Sequence, residues 1–284
     1  MHNRLIRNGL GTLAALLALA VASPADAGII DITVTNNQPG GGFAFSPVWF
    51  GLHDGSFDAF DPGESLKGTP IQTVAELANT GPISAAFSGL GPQITVGSMP
   101  YFPGASVSAS LNVADPTATR FLNFASMVVP SNDFFFGNPS PLALFNAAGQ
   151  LIDANGLVTQ TRTIRIFGRQ VWDAGTEVDD ANFGAAFLVG DNITDHVDQN
   201  GSAQLVFGGS NDLSSYLNSL DGRATPAGFD ISHLITPDDL IATIVITNSV
   251  AVPEPSSLVL AGVGLAGALG LGRAGRRIAR GASA

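Results

Sequence analysis

The chain has 284 residues, a formal net charge of −11, 45% hydrophobic and only 12% charged residues, and no cysteine. The absence of cysteine excludes disulfides, thiolate metal sites and cysteine nucleophiles, and the acidic balance disfavours nucleic acid and anionic lipid as partners. The apolar content is that of a packed globular body rich in turns, not of a disordered chain. The first 27 residues read as a secretory signal: Arg4 and Arg7 at the start, an apolar core from Leu10 to Val21, and Ala25-Asp26-Ala27 before Gly28. Ala25 and Ala27 mark the expected cleavage site, since the apolar run is too short to span a bilayer comfortably.

The expected body is a single domain over 28–250. Without the six terminal arginines and two terminal acids, the chain keeps six basic and 21 acidic residues, a net charge of −15. Ile30–Thr35 alternates apolar and polar residues, as a half-buried strand does. Ser46–Asp58 contains an apolar run that fits a buried strand, followed by an Asp54-Gly55 turn. Thr69 and Pro70 suit the start of a short helix ending near Ala78, with Ile71, Val74 and Leu77 on one face. Ile83–Phe87, Gln93–Val96 and Ala105–Leu111 read as strands.

Arg120–Val129 is the strongest central-strand candidate, stopped by Pro130. The polar loop Ser131-Asn132-Asp133 then leads into Phe134-Phe135-Phe136-Gly137. Leu142–Ile152 and Leu157–Phe167 flank Asn155-Gly156, a strong hairpin signal. Asn182–Val189 and Gln204–Phe207 continue the strand pattern, Asn211–Leu220 suits a short helix, and Leu240–Thr247 alternates again. Short strands at this spacing with scarcely any helix predict an antiparallel sandwich or barrel.

Chemistry concentrates in one stretch, Val171–Asp180. Gly175 can take positive φ there, so Asp173 and Glu177 can converge on one point. Carboxylates held together repel unless a proton or cation joins them, and Ca²⁺ takes six to eight oxygens in flexible geometry. On these residues alone, a solvated acidic loop is the favoured reading. His53 stands beside Asp54 and Asp58 without a second histidine at ligand spacing, so a hydrogen-bonded structural role is expected. The pairs Asp54/Asp58 and Asp191/Asp195 could serve a glycoside hydrolase, but they lie in turn-like sequence, and no G-x-S-x-G is present. Trp49, Trp172, Tyr101 and Tyr216 could stack on sugars, although both tryptophans sit in apolar runs that suit a core. Arg162 and Arg169 lie three and four residues from Arg165, so one strand cannot place all three on one face. They are read as surface charges.

The tail, 251–284, carries Pro253-Glu254-Pro255, an apolar run from Leu258 to Leu271, and Arg273, Arg276, Arg277 and Arg280. Ser256 to Gly272 gives 17 residues, the lower limit for a spanning helix. The arginines would stay cytoplasmic and leave the body outside the inner membrane.

Two resemblances add to these readings. Ser46-Pro47-Val48-Trp49 with His53–Asp58, then Ala75-Glu76-Leu77-Ala78, Ser126–Asp133 and Asp173–Glu177, resemble in order the bacterial branch of the spondin domain family, whose animal members include F-spondin. The resemblance runs from about residue 29 to 248 and implies an all-β, eight-stranded, C2-like antiparallel sandwich with one or two short helices. It also implies a structural Ca²⁺ held by end loops, with Asp133, Asp173 and Glu177 as ligands. The animal pattern has Asp in place of Glu177, and Asp179 and Asp180 match no ligand position. The tail is similar to the PEP-CTERM sorting signal of Gram-negative bacteria, which implies recognition by an exosortase and cleavage near Pro253, Glu254 and Pro255.

Together these imply an exported, non-enzymatic, calcium-binding protein. It would be anchored transiently in the inner membrane by its C-terminal helix, then placed at the cell surface or in extracellular polysaccharide, in adhesion or in biofilm or floc structure. Its partners would be the exosortase and an unidentified polysaccharide, surface glycan or protein, and not nucleic acid. The alternatives are a polysaccharide-binding module and a matrix polysaccharide hydrolase.

Overall fold

The structure is a computed structural model that describes residues 28–208 and 212–249. The expected signal peptide and sorting tail lie outside them. Within them the chain is mostly antiparallel β-sheet with few helices, as an all-β sandwich requires.

One sheet has four strands in the order β5 (Ser106–Val113), β1 (Gly28–Asn36), β12 (Leu240–Asn248), β9 (Thr161–Phe167). Ile30, Ile32 and Val34 of β1 and Ile244 and Ile246 of β12 point into the core, and the residues between them face outward. The period-two pattern of these strands reflects one buried face and one wet one.

The second sheet runs β11 (Gln204–Leu205), β10 (Val171–Asp173), β7 (Phe134–Gly137), β6 (Phe121–Val129), β3 (Val48–His53), β4 (Gln93–Val96). Two-residue strands β2 (Ala44–Phe45) and β8 (Leu142–Ala143) also pair with β6. Its central strands β3 and β6 are buried nearly throughout, because both faces are covered. Phe50, Leu52, Phe124, Phe134 and Phe136 face the inter-sheet core. Trp49, Phe135 and Trp172 face a second apolar cluster built with Phe60, Leu66, Ile71 and Phe87. That outer layer is supplied by helix α1 (Pro70–Leu77), helix α2 (Gly81–Ala86) and the segment leading to them. Both tryptophans and both tyrosines are buried, which leaves no sugar-stacking platform among the four.

Several expectations change. Among the described residues there are twelve strands where eight were expected, three of them only two residues long. Residues 83–86 are helical, not extended, and Phe87 caps the helix: Pro82 suits the first helical turn, and Ile83 is the one buried residue of α2. Asn155-Gly156 does make its turn, with Gly156 at φ 78°. A single bridge, Ile152 to Val158, joins its arms, however, and β9 crosses to the other sheet to pair with β12. Asn182–Val189 forms turns, and the third helix α3 is shorter than expected, Ser214–Ser219. Arg165 and Arg169 are exposed, but Arg162 is buried, because it shares the inward face of β9 with Ile164 and Ile166.

Phe136 is fully buried and packs edge-on against Phe45 at 5.1 Å. Phe136→Ala is expected to lower unfolding stability by about 3–5 kcal/mol, read by urea denaturation. A loss under about 1 kcal/mol would contradict its central position.

Candidate metal centre

Antiparallel register brings the two acidic loops together. The end of β10 lies beside the start of β7, with Asp173 opposite Phe134, so Asp133 and Asp173 meet although 40 positions separate them. Both are fully buried. Gly175 closes the turn at φ 66°, and a Cβ there would come within 2.7 Å of the Ser202 backbone nitrogen. Glycine is therefore required both by conformation and by space.

Asp133 Oδ2 accepts hydrogen bonds from the Thr176 and Glu177 backbone N–H groups at 2.7 and 3.0 Å and from Thr176 Oγ1 at 3.1 Å. Asp173 Oδ1 accepts from the Gly175 N–H, and its Oδ2 accepts from Gln204 Nε2, each at 2.8 Å. The loop before Asp133 is fixed in turn. Asn132 Oδ1 accepts from Tyr216 Oη and from the Asp180 N–H, and Asn132 Nδ2 donates to the Phe183 carbonyl.

The third carboxylate is Asp179. Oxygens of Asp133, Asp173 and Asp179 all lie within 4.8 Å of one another. Two oxygens on opposite sides of a calcium ion, at about 2.4 Å each, would stand about that far apart. Glu177, the ligand expected from the resemblance, is fully buried but falls outside this trio. Its Oε1 lies 3.4 Å from His196 Nδ1. Asp179 was matched to no ligand position. Gly175 turns the chain after Asp173, so strand parity does not carry across, and a short extended run after the turn brings Asp179 back to Asp133 and Asp173. Glu177 bridges Asp198 in such a run, and the Val178 N–H donates to the Val197 carbonyl.

The electrostatics leave the cluster short of positive charge. Lys67 is committed to Asp198 and Asn200, and His196 contacts Glu177 and Asp198. Asp133 Oδ1, Asp179 Oδ1 and both oxygens of Glu177 are buried without a hydrogen-bond partner. Burial, then the charges of Asp173 and Asp179, hold the Asp133 carboxyl well above its ordinary range. Burial, then Asp173 and Glu177, push Asp179 to about 8. Burial and Glu76 push Glu177 to about 7, against the opposing effects of His196 and Asn132. The site needs protons or a cation to be stable. The orphaned atoms of this cluster are all hard carboxylate oxygens, and these fit a hard divalent ion such as Ca²⁺.

The other candidate groups serve the fold. His53 is fully buried. Its Nδ1 accepts from the Gly55 and Phe57 N–H groups, which leaves Nε2–H to donate to Asn123 Oδ1 at 2.8 Å. Asp54 accepts from the Ser56 N–H, and Asp191 accepts from the backbone of Gly184, Ala185 and Asn192. Among the described residues no helix is long and apolar enough to cross a membrane.

Raised carboxyl values mean that protons are bound on folding, so this contribution to stability is full below the ordinary carboxylate range. It is lost as pH rises through about 7 to 8. In chelator, the protein is expected to melt at a lower temperature at pH 8.5 than at pH 6, with millimolar Ca²⁺ narrowing the gap. A melting temperature that rises with pH in chelator would contradict the cluster.

Comparison with known proteins finds a match to the PEP-CTERM protein-sorting motif over residues 251–277. No curated protein matches the chain. The motif marks an exported protein that is processed by an exosortase and sorted to the cell surface.

Proposed function

We propose that the chain is a spondin-like, calcium-stabilised protein of the cell surface or extracellular polysaccharide matrix. It acts without catalysis, in adhesion or in biofilm structure. One observation carries this reading: the buried Asp133 and Asp173 and the half-buried Asp179 converge, and the orphaned Oδ1 atoms of Asp133 and Asp179 have no side-chain cation paired with them among the described residues. Asp133, Asp173 and Asp179 would hold the ion, with Glu177 beside them. Bound calcium supplies positive charge and no redox or acid–base chemistry. Asp133 ties the loop after β6 to the Thr176–Glu177 backbone, and Asp173 ties β10 to Gln204 on β11. An ion shared between these loops would favour the folded state by mass action.

The non-enzymatic reading rests on where the acidic pairs lie. In each pair considered for hydrolysis, Asp54/Asp58 and Asp191/Asp195, the first carboxylate is occupied with local backbone N–H groups. The sandwich, the resemblance of the body to bacterial spondin domains and the sorting motif agree with a matrix role. Cleavage near Pro253-Glu254-Pro255 would free the body from its expected inner-membrane span in a Gram-negative host.

Millimolar Ca²⁺ is expected to raise the melting temperature at pH 7.5 by several degrees over chelator, an effect that Asp179→Asn reduces and Asp180→Asn leaves in place. Identical midpoints with and without Ca²⁺ would remove the calcium reading. Intact-mass measurement of protein from the native host should give a C-terminus near residue 255; a mass that includes Ala284 would contradict cleavage.

A further inference from the structure

A strand at the end of a sheet leaves half of its backbone N–H and C=O groups unpaired, and natural proteins blunt such edges with shortness, proline, bulges or charge. Among the described residues, β11 and β4 end the second sheet, and they are only two and four residues long. β9 ends the first sheet with Arg165 facing outward and Arg162 inward, and its register with β12 slips between Leu240 and Ala242. An inward-pointing charge is itself a device against edge pairing. β5, at the other end of that sheet, has none of these protections.

β5 reads Ser-Val-Ser-Ala-Ser-Leu-Asn-Val, eight residues without a charge or a proline, and its register with β1 is unbroken from Ser106 to Val113. The direction of its free groups follows from a neighbouring bond. The Asn36 N–H donates to the Ala105 carbonyl, so Ala105 and every second residue after it turn their backbone groups to β1. Ser106, Ser108, Ser110 and Asn112 turn theirs the other way, where no described residue bonds to them. All four are exposed, and Val107 and Ala109 on the core face are only half-buried, because no strand lies beyond them. Val107 also walls a hollow with Met99 and Phe102, and Met99 is 69% exposed.

We propose that β5 pairs antiparallel with β5 of a second copy of this chain, about a two-fold axis at Ala109, and so joins two four-stranded sheets into one. Ser108 then faces Ser110 across the axis and Ser106 faces Asn112, each pair exchanging both backbone bonds. On the core side Val107 faces Leu111, and Ala109 faces its own copy. This register leaves none of the eight residues without an opposite, with polar groups outside and apolar ones inside. Ser108 and Ser106 already bond the hydroxyls of Thr33 and Thr35 at 2.8 Å, so the new pairs continue the pattern of that face. Charge also selects this seam. Two bodies of net charge −15 repel where acids face each other, and the uncharged β5 lets them meet. Eight residues make a small interface, so the dimer is reversible. No residue of the acidic cluster takes part.

The test is sedimentation of protein purified from the native host between about 1 and 500 µM, which should show a reversible monomer–dimer equilibrium. Ser108→Pro removes an N–H from the open edge and none from the ladder with β1, so it should keep the fold and weaken the dimer at least about ten-fold. The chain has no cysteine, so Ala109→Cys supplies a single thiol. Directly facing, non-hydrogen-bonded residues have Cα atoms about 4.5 Å apart, within disulfide reach, so this variant should cross-link to its own copy under mild oxidation. It decides the matter if the proline variant does not fold. The proposal is overturned if the protein stays monomeric throughout that range, if folded Ser108→Pro dimerises as well as the unchanged chain, or if folded Ala109→Cys gives no cross-linked dimer.

Discussion

Several carboxylates packed together, with His196 beside Glu177 as their one basic neighbour among the described residues, form the constraint on which the end of this sandwich depends. In water such groups would separate; inside a protein each needs a proton, an ion or a set of N–H donors. Asp133 Oδ2 and both oxygens of Asp173 are satisfied by donors from the neighbouring turn and strand. Asp133 Oδ1, Asp179 Oδ1 and both oxygens of Glu177 are not. The loops are thus half-neutralised by the fold, and the other half is left for something bound. A buried group of this kind would be strongly destabilising if nothing compensated it.

The sheet architecture makes the cluster possible. β10 pairs with β7 on one side and β11 on the other, which fixes Asp173 between Phe134 and Gln204. The outer apolar layer under α1 and α2 buries Trp172 beside it, so the acidic turn leaves a strand that is held on both faces. Tyr216 on α3 clamps Asn132 from the opposite direction. Gly175 then allows the chain to reverse where any side chain would strike the Ser202 backbone. Rigid strands with short loops between them are a sound base for an ion site, because ligand positions are set by packing and not by the ion alone.

Much of this was legible in the sequence, and the failures have physical causes. Alternation in β1 and β12, and the largely apolar sequences of β3 and β6, announced one-sided and two-sided burial. Asp133 and Asp173 were visible as acids at loop ends, whereas Asp179 was hidden because nothing in the chain order says how far an extended turn carries its second carboxylate. The Asn155-Gly156 turn was correct, but a turn signal reports only local geometry. It could not show that β9 leaves for the other sheet. Residues 83–87 looked like a strand because two apolar residues and a small-residue spacer suit either conformation over so short a run. Arg162 was taken for a surface charge because composition predicts where arginines usually lie, and its inward position follows only from the strand's phase.

Export and stability meet in this chain: a sorting motif follows a body whose acidic loops suit a calcium-containing exterior. The most direct measurement of the central claim is the proton count on calcium binding, taken at pH 7 in weak buffer with the folded protein. If the buried carboxylates hold protons until a cation replaces them, about one Ca²⁺ should bind per chain and release at least one proton. Calcium uptake without proton release, or no uptake at millimolar concentration, would contradict the account.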